Sequence, residues 1–134
     1  MKTKQYKQCC ANKLSSLLKA IELKKHTAKV GFDFPNVNSA LIKLDEEIQE
    51  IKQAIKNQNR ENMFEEIGDA LFMLANVAEK IGVNPELSLK HANKKFEKRF
   101  KAIERKMKEA NIPLTKENVD KMEKYWDEVK QNIH

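Results

Sequence analysis

The 134-residue sequence predicts an all-α protein, an antiparallel bundle of about five helices. Three observations point there. Gly and Pro are scarce, at three each. Long segments repeat apolar residues at intervals of three and four, the period of a helix with one buried face. Most of the Gly and Pro stand where these segments stop and start. The length suits one domain, so residues 1–134 are read as a single domain, with residues 1–10 as a flexible basic tail.

The first predicted helix covers roughly 10–30, with Leu14, Leu17, Leu18 and Ile21 on one face, and ends at Gly31. Gly31-Phe32-Asp33-Phe34-Pro35 reads as a turn. Asn38 or Ser39 is suited to cap the second helix. Its apolar row is Val37, Leu41, Leu44, Ile48, Ile51 and Ile55, the clearest amphipathic pattern in the chain. The polar break Asn57-Gln58-Asn59-Arg60 leads into a third helix over about 61–81. Between Ala70 and Ala78 this helix is apolar almost all round, which predicts a central position. Gly82 ends it, and Asn84-Pro85 opens a fourth helix running to about Glu109. Leu89, Ala92, Phe96, Phe100, Ile103 and Met107 are its expected inward residues. After Pro113, Thr115 is the expected cap of a fifth helix carrying Val119, Met122, Trp126 and Val129. The short break between helices 2 and 3 predicts an antiparallel pair.

No segment approaches the roughly 18 consecutive apolar residues of a membrane span, and no apolar stretch follows the basic start. Cys9 and Cys10 read as reduced thiols. The expected location is cytoplasmic, with no membrane partner. The net charge of +6 favours an anionic ligand without choosing one. Lys and Glu are mixed along most of the chain, as on exposed helix faces.

One stretch departs from that balance. Residues 45–69 hold the acids Asp45, Glu46, Glu47, Glu50, Glu61, Glu65, Glu66 and Asp69 against Lys52, Lys56 and Arg60. Within it, Glu47-x-x-Glu50 and Glu66-x-x-Asp69 each place two carboxylates on neighbouring turns of one helix face. The first pair borders the apolar row of helix 2. The second shares a stripe with Met73 and Asn76 in the most apolar helix. Four carboxylates in such a seam would repel one another and resist desolvation. A hard divalent cation removes the difficulty, and Mg²⁺ is commonly held by carboxylates together with substrate phosphates. No Glu-x-x-His occurs, so a di-iron bundle is not indicated. Oxygen-only ligands favour Mg²⁺, with Mn²⁺ as a substitute. Gly68 lies between Glu66 and Asp69 and suits close approach of a neighbouring helix or ligand.

These segments resemble the MazG family of nucleoside triphosphate pyrophosphohydrolases, within the all-alpha pyrophosphatase superfamily. The likeness runs from about Lys24 to Lys130 and looks most like the second of the two domains found in many members. Lys29 to Pro35 is similar to the segment ahead of the first acidic helix. Glu46-Glu47-Ile48-Gln49-Glu50 is similar to the E-E-x-x-E motif. Glu65-Glu66-Ile67-Gly68-Asp69-Ala70-Leu71-Phe72, continuing to Asn76, is similar to E-E-x-G-D-x-L-F…N. Ala92 to Phe100 looks like the A-N-x-K-F-x-x-R-F run, and Trp126 and Lys130 stand at the late Trp and Lys. Phe34 stands where a Trp is common, and His26 is unusual in its stretch.

The resemblance implies hydrolysis of a nucleoside triphosphate to a monophosphate and pyrophosphate. It implies Mg²⁺ ligands at Glu47, Glu50, Glu66 and Asp69, with Glu46, Glu47 and Glu50 as catalytic candidates. It assigns phosphate contacts to Lys95, Arg99 and Lys130, base stacking to Trp126 and a nucleotide hydrogen bond to Asn93. It also implies a homodimer whose second copy completes the helical core. The rival readings are a non-catalytic helical dimer and a basic helical module for nucleic acid. Nucleic acid is not expected, because the mixed charges suggest no continuous basic face and no reader motif is present.

Overall fold

A computed structural model of the chain describes residues 15–134. Cys9, Cys10, Leu14 and the expected basic tail lie outside the described residues. The described part is helical and contains no strand. Five α-helices follow in order: α1 Ser16–Ala28, α2 Val37–Lys56, α3 Arg60–Lys80, α4 Pro85–Glu109 and α5 Val119–Asn132. A single turn of 3₁₀ helix, Lys116–Asn118, precedes α5. Among the described residues, no helix is long and apolar enough to cross a membrane.

The start of each helix follows from local hydrogen bonding. The Ser15 hydroxyl accepts from the Leu18 N–H and opens α1. Asn36, rather than Asn38 or Ser39, caps α2, its Oδ1 accepting from both the Ser39 N–H and the Ser39 hydroxyl. Asn59 does the same for α3 by accepting from Asn62. Asn84 accepts from the Glu86 N–H just after Pro85, which has no N–H to satisfy. Thr115 precedes the 3₁₀ turn without a side-chain cap bond. It serves the loop another way, accepting from the Asn118 amide at 3.4 Å.

The ends repeat one device. At Gly31, Gln58, Gly82 and Asn111 the chain enters the left-handed region, with φ of 87°, 54°, 73° and 56°. The N–H of each bonds the carbonyl three residues back, and the next N–H reaches five back. Examples are Gln58 to Ile55 and Asn59 to Ala54, both at 3.1 Å. This is the Schellman closure, which satisfies carbonyls a helix end leaves open. Gln58 is also the middle of the three residues that join α2 to α3, with Asn57 and Asn59 on either side. So tight a connection between two helices in extensive contact makes them an antiparallel pair.

The backbone divides into two compact units after Glu86. In the first, α3 is central and packs against both α2 and α1. Its core joins Ala40, Met73 and Val77, with Phe34, Val37 and Leu44 against them. The turn before α2 is tied to α3 by Lys80, which donates to Asp33 and to the Phe34 carbonyl, each at 2.9 Å. Lys24 of α1 also faces Asp33, at 3.7 Å, and lies over the rings of Phe32 and Phe34. The two Lys ammonium groups draw the Asp33 pKa below its ordinary value, with Lys80 the larger influence. In the second unit, Ile103 and Met107 of α4 pack with Val129 of α5. Met122, Tyr125, Trp126, Ile112 and Ile133 surround them.

Burial departs from the sequence reading on one side of each long helix. In α2, Leu41, Ile48 and Ile55 are exposed, while Val37, Leu44 and Ile51 are half-buried. In α3, Met73, Ala75 and Val77 are buried but Phe64, Ile67, Leu71 and Leu74 are exposed. In α4, Leu89, Ala92, Phe96 and Phe100 are exposed, unlike Ile103 and Met107. The apolar arcs are wider than the neighbouring helices of one chain cover. Among the described residues, and apart from the adjoining backbone of α3 itself, no atom lies within 4 Å of the place a Cβ on Gly68 would take, so none of them makes the expected close approach there.

Left-handed conformations cost a residue with a side chain about 1–2 kcal/mol relative to Gly. Gln58→Gly should therefore stabilise the fold by about 1 kcal/mol, and Gly82→Ala should destabilise it by a similar amount. Urea unfolding of the two variants measures both. Equal stability of Gln58→Gly and the unaltered chain would show that the α2–α3 turn carries no such strain.

Candidate metal centre

The α2–α3 hairpin carries the site. Antiparallel packing sets the middle of α2 against the first half of α3, which brings Glu47 to Glu66 and Asp69. One carboxylate oxygen from each of these three lies within 4.8 Å of the others. The three differ in exposure: Glu47 is 5% exposed, Glu66 half-buried and Asp69 open to solvent. One oxygen each of Glu47 and Glu66 is buried without a hydrogen-bond partner. Buried acceptors of this kind are rare in folded proteins unless something fills them. An oxygen-only donor set with unfilled buried lone pairs fits a hard divalent cation.

Glu50 stands beside this trio rather than within it. It is exposed, one turn further along α2, and lies against Glu66. Hydrogen bonding with Glu50 is the largest influence on the Glu66 carboxyl. Burial comes next, followed by the Glu50 charge and then Glu47, and together they raise the Glu66 pKa from 4.5 to about 7. With every carboxyl ionised, Glu66 has nothing to donate and its buried oxygen stays unpartnered. A proton retained on Glu66 supplies the missing bridge to Glu50. The same group can thus hold a proton or a cation, and the raised affinity for one reports the field that favours the other.

Lys43, which sequence reasoning passed over, holds the other side of Glu47. Its ammonium lies 3.3 Å from Glu47 Oε1 and 3.4 Å from Glu46 Oε2. Both carboxylates, Glu47 foremost, raise the Lys43 pKa. Glu47 therefore has Oε1 tied to a cation and Oε2 buried without a partner. The signal is present in the sequence, since Lys43 precedes Glu46 by three and Glu47 by four. Glu46 itself is exposed and engaged with Lys43. On α3, Asn76 is 2% exposed, and neither its amide oxygen nor its nitrogen has a partner.

The remaining expected site residues belong to the second unit. Arg99 is 8% exposed; its Nε donates to the Ile133 carbonyl at 2.8 Å and its guanidinium sits 5.6 Å from the Trp126 ring centre. Trp126 is half-buried and meets Phe96 at 5.4 Å between ring centres, tilted by 50°. Lys95 is half-buried, whereas Asn93 and Lys130 are exposed. Of the expected residues, the structure gathers Glu47, Glu66 and Asp69 into one cluster, with Glu50 and Glu46 at its edge. It gathers Arg99 and Trp126 into another.

Comparison with known proteins identifies the family. Residues 36–106, which span α2, α3 and most of α4, match the model of the MazG nucleotide pyrophosphohydrolase domain. The chain belongs to the MazG family. A nucleoside triphosphate pyrophosphohydrolase of Escherichia coli is 35% identical over 122 residues, 88% of this chain and 46% of that protein. A Thermotoga maritima protein named nucleoside triphosphate pyrophosphohydrolase/pyrophosphatase MazG is 30% identical over 86% of this chain and 44% of its own length. The Bacillus subtilis protein YabN, named as uncharacterized, is 40% identical over 52% of this chain and 14% of its own length. The chain thus spans less than half the length of the relatives it matches.

The raised pKa of Glu66 has a definite consequence for stability. The folded value of about 7 exceeds the ordinary 4.5, so the fold binds this proton more tightly than the unfolded chain does. That contribution is complete below about pH 4.5 and is lost as pH rises to about 7. In EDTA, the melting temperature should fall across this window, and Glu66→Gln should flatten the fall. An unchanged pH dependence in Glu66→Gln would remove Glu66 as its source.

Proposed function

We propose that this chain is a Mg²⁺-dependent nucleoside triphosphate pyrophosphohydrolase. The supporting observation is the cluster of Glu47, Glu66 and Asp69 oxygens, two of its residues carrying buried unpartnered oxygens, in a chain of the MazG family. Glu47, Glu50, Glu66 and Asp69 are the proposed ligands, and Mn²⁺ is the proposed substitute. When bound, the cation neutralises phosphate charge and activates water. Water oxygen would attack the α-phosphorus and lose a proton to solvent, the bond from that phosphorus to the oxygen bridging to the β-phosphate would break, and pyrophosphate would leave with the bond's electron pair.

The chain's own groups prepare this step. Lys43 holds Glu47 Oε1, and the buried, unpartnered Oε2 is the proposed donor to the cation. Glu46, on the same Lys, is proposed to help orient the attacking water. Glu66, whose hold on a proton is raised by the neighbouring Glu50, would give that proton up when positive charge arrives. Lys95, Arg99 and Lys130 are proposed to contact phosphates, Asn93 the nucleotide and Trp126 the base. The proposed location is the cytoplasm.

Glu50→Gln and Asp69→Asn each remove one proposed ligand without changing side-chain size. Each should lower Mg²⁺-dependent pyrophosphate release at least a hundredfold while leaving the helical circular dichroism intact. The assay is pyrophosphate release from a panel of ribo- and deoxynucleoside triphosphates, with and without Mg²⁺. Full activity in either folded variant would sink the ligand assignment, and no release from any nucleotide would sink the enzyme reading.

The proposed assembly is a homodimer. Phe64, Ile67, Leu71 and Leu74 recur at helical spacing on one face of α3, and Phe64 is 84% exposed. Uncovered apolar rows of that kind mark association surfaces. Sedimentation equilibrium should give a dimer for the unaltered chain and a shift toward monomer for Leu71→Glu. A monomeric unaltered chain at micromolar concentration would overturn the assembly.

A further inference from the structure

Among the described residues outside the acidic hairpin, α4 carries a face whose charged side chains are all cationic. Successive helical residues turn by about 100°. Lys90, Lys94, Lys98, Lys101, Arg105 and Lys108 then fall within an arc of about 80° on one face. All six are exposed, and among the described residues none is in an ion pair. Only Leu87 shares the arc. At a rise of about 1.5 Å per residue, the row is about 27 Å long, with cations about 4.5 or 6 Å apart along the axis. The mixed run of Lys and Glu in the sequence conceals this ridge. Wound into a helix, Glu97 and Glu104 move to its border while the cations line up. The inward side chains Ile103, Met107 and Arg99 occupy the opposite face. Lys95 also lies off the ridge, so the row is separate from the proposed phosphate contacts.

The ridge ends at a groove of about 510 Å³. Arg105 and Lys108, its last two cations, line the groove with Glu104, Met107, Ile112 and Leu114. Here a cationic row meets an apolar recess.

We propose that this face of α4 docks single-stranded nucleic acid, the ridge following the phosphates and the groove receiving a base. A single line of cations complements a single line of phosphates, at steps of the same order as the spacing between phosphates on one strand. A recess whose accessible apolar walls are Ile112 and Leu114, over the buried Met107, offers an apolar face to a base whose phosphate lies on Arg105 or Lys108. A membrane surface fits less well. Interfacial helices insert an apolar face flanked by their cations, whereas the exposed apolar residues Leu89, Phe96 and Phe100 of α4 lie round the helix away from the row, and Ile103 and Met107 are packed with Val129. A duplex groove would call for cations on both flanks of the helix. The row has no aromatic side chain, so binding along it would be indifferent to sequence. The ridge residues are not among the candidates for hydrolysis, so this proposal does not depend on the hydrolase reading.

The test is fluorescence anisotropy with labelled 12-nucleotide single strands of RNA and DNA, titrated with the full chain at several salt concentrations. Six phosphate contacts on a single strand predict a slope of log K against log salt of about −4. Lys94→Gln with Lys101→Gln should reduce the slope to about −3 and the affinity by roughly tenfold or more at 0.1 M salt. Lys121→Gln with Lys124→Gln on α5 removes the same charge elsewhere and should leave both unchanged. Leu114→Ser should weaken binding severalfold without altering the slope, since it touches only the groove. Circular dichroism verifies that each variant is folded. Preference for RNA over DNA, or the reverse, identifies the source of the strand. Equal losses from the α4 and α5 pairs would reduce the effect to net charge and overturn the proposal. Tighter binding to a duplex or to anionic phospholipid vesicles would overturn it, as would no binding at low salt.

Discussion

The constraint on which the first unit depends is the mutual repulsion of carboxylates held in the α2–α3 hairpin. A three-residue turn and a shared apolar seam force Glu47, Glu66 and Asp69 to within 4.8 Å of one another. Ala40, Met73 and Val77 supply the packing that opposes this repulsion. Lys43 offsets part of it from one side, and a proton on Glu66 offsets part from the other. A structure that gathers like charges and then leaves buried oxygens unpartnered is poised to gain stability from a cation. Stability and ligand binding are therefore two readings of the same electrostatic imbalance.

The rest of the unit keeps that hairpin in register. Asn36 and Asn59 set where α2 and α3 begin, so they set which turns of the two helices oppose one another. Lys80 ties the turn before α2 to the far end of α3 through Asp33 and the Phe34 carbonyl. Asp33 thus joins the two helix ends remote from the α2–α3 turn. The hairpin is closed at one end by covalent geometry and at the other by charge-assisted hydrogen bonds. In the second unit, the buried Arg99 is secured differently, by the Ile133 carbonyl and the face of Trp126. That contact orders the last residues of the chain against α4.

Several features are legible in the amino-acid sequence. The acidic pairs, the helix order and the family motifs depend on spacing within single helices, where a period of 3.6 residues translates position directly into direction. The pairing of Lys43 with Glu47 follows the same rule and is open to the same reading. Asn36 as a cap is harder, because Asn36, Asn38 and Ser39 offer the same chemistry within four residues. Burial is harder still. The apolar row of α2 suggests one buried stripe, whereas alternate members, Leu41, Ile48 and Ile55, face outward. A pattern shows which face avoids water without showing what covers it.

The sequence alone determined the helical class, the two acidic pairs and their place in the MazG pattern, because each rests on residues a turn or two apart. Only the tertiary structure decided that Glu47, Glu66 and Asp69 converge while Glu50 stands beside them, and that one oxygen of Glu47 is already engaged by Lys43. It also decided that Arg99 is buried against Trp126 and the Ile133 carbonyl. The reason is physical. Distances between helices depend on how side chains interlock across a seam, and a shift of one residue there moves a carboxylate by about 1.5 Å along the axis and about 100° around it.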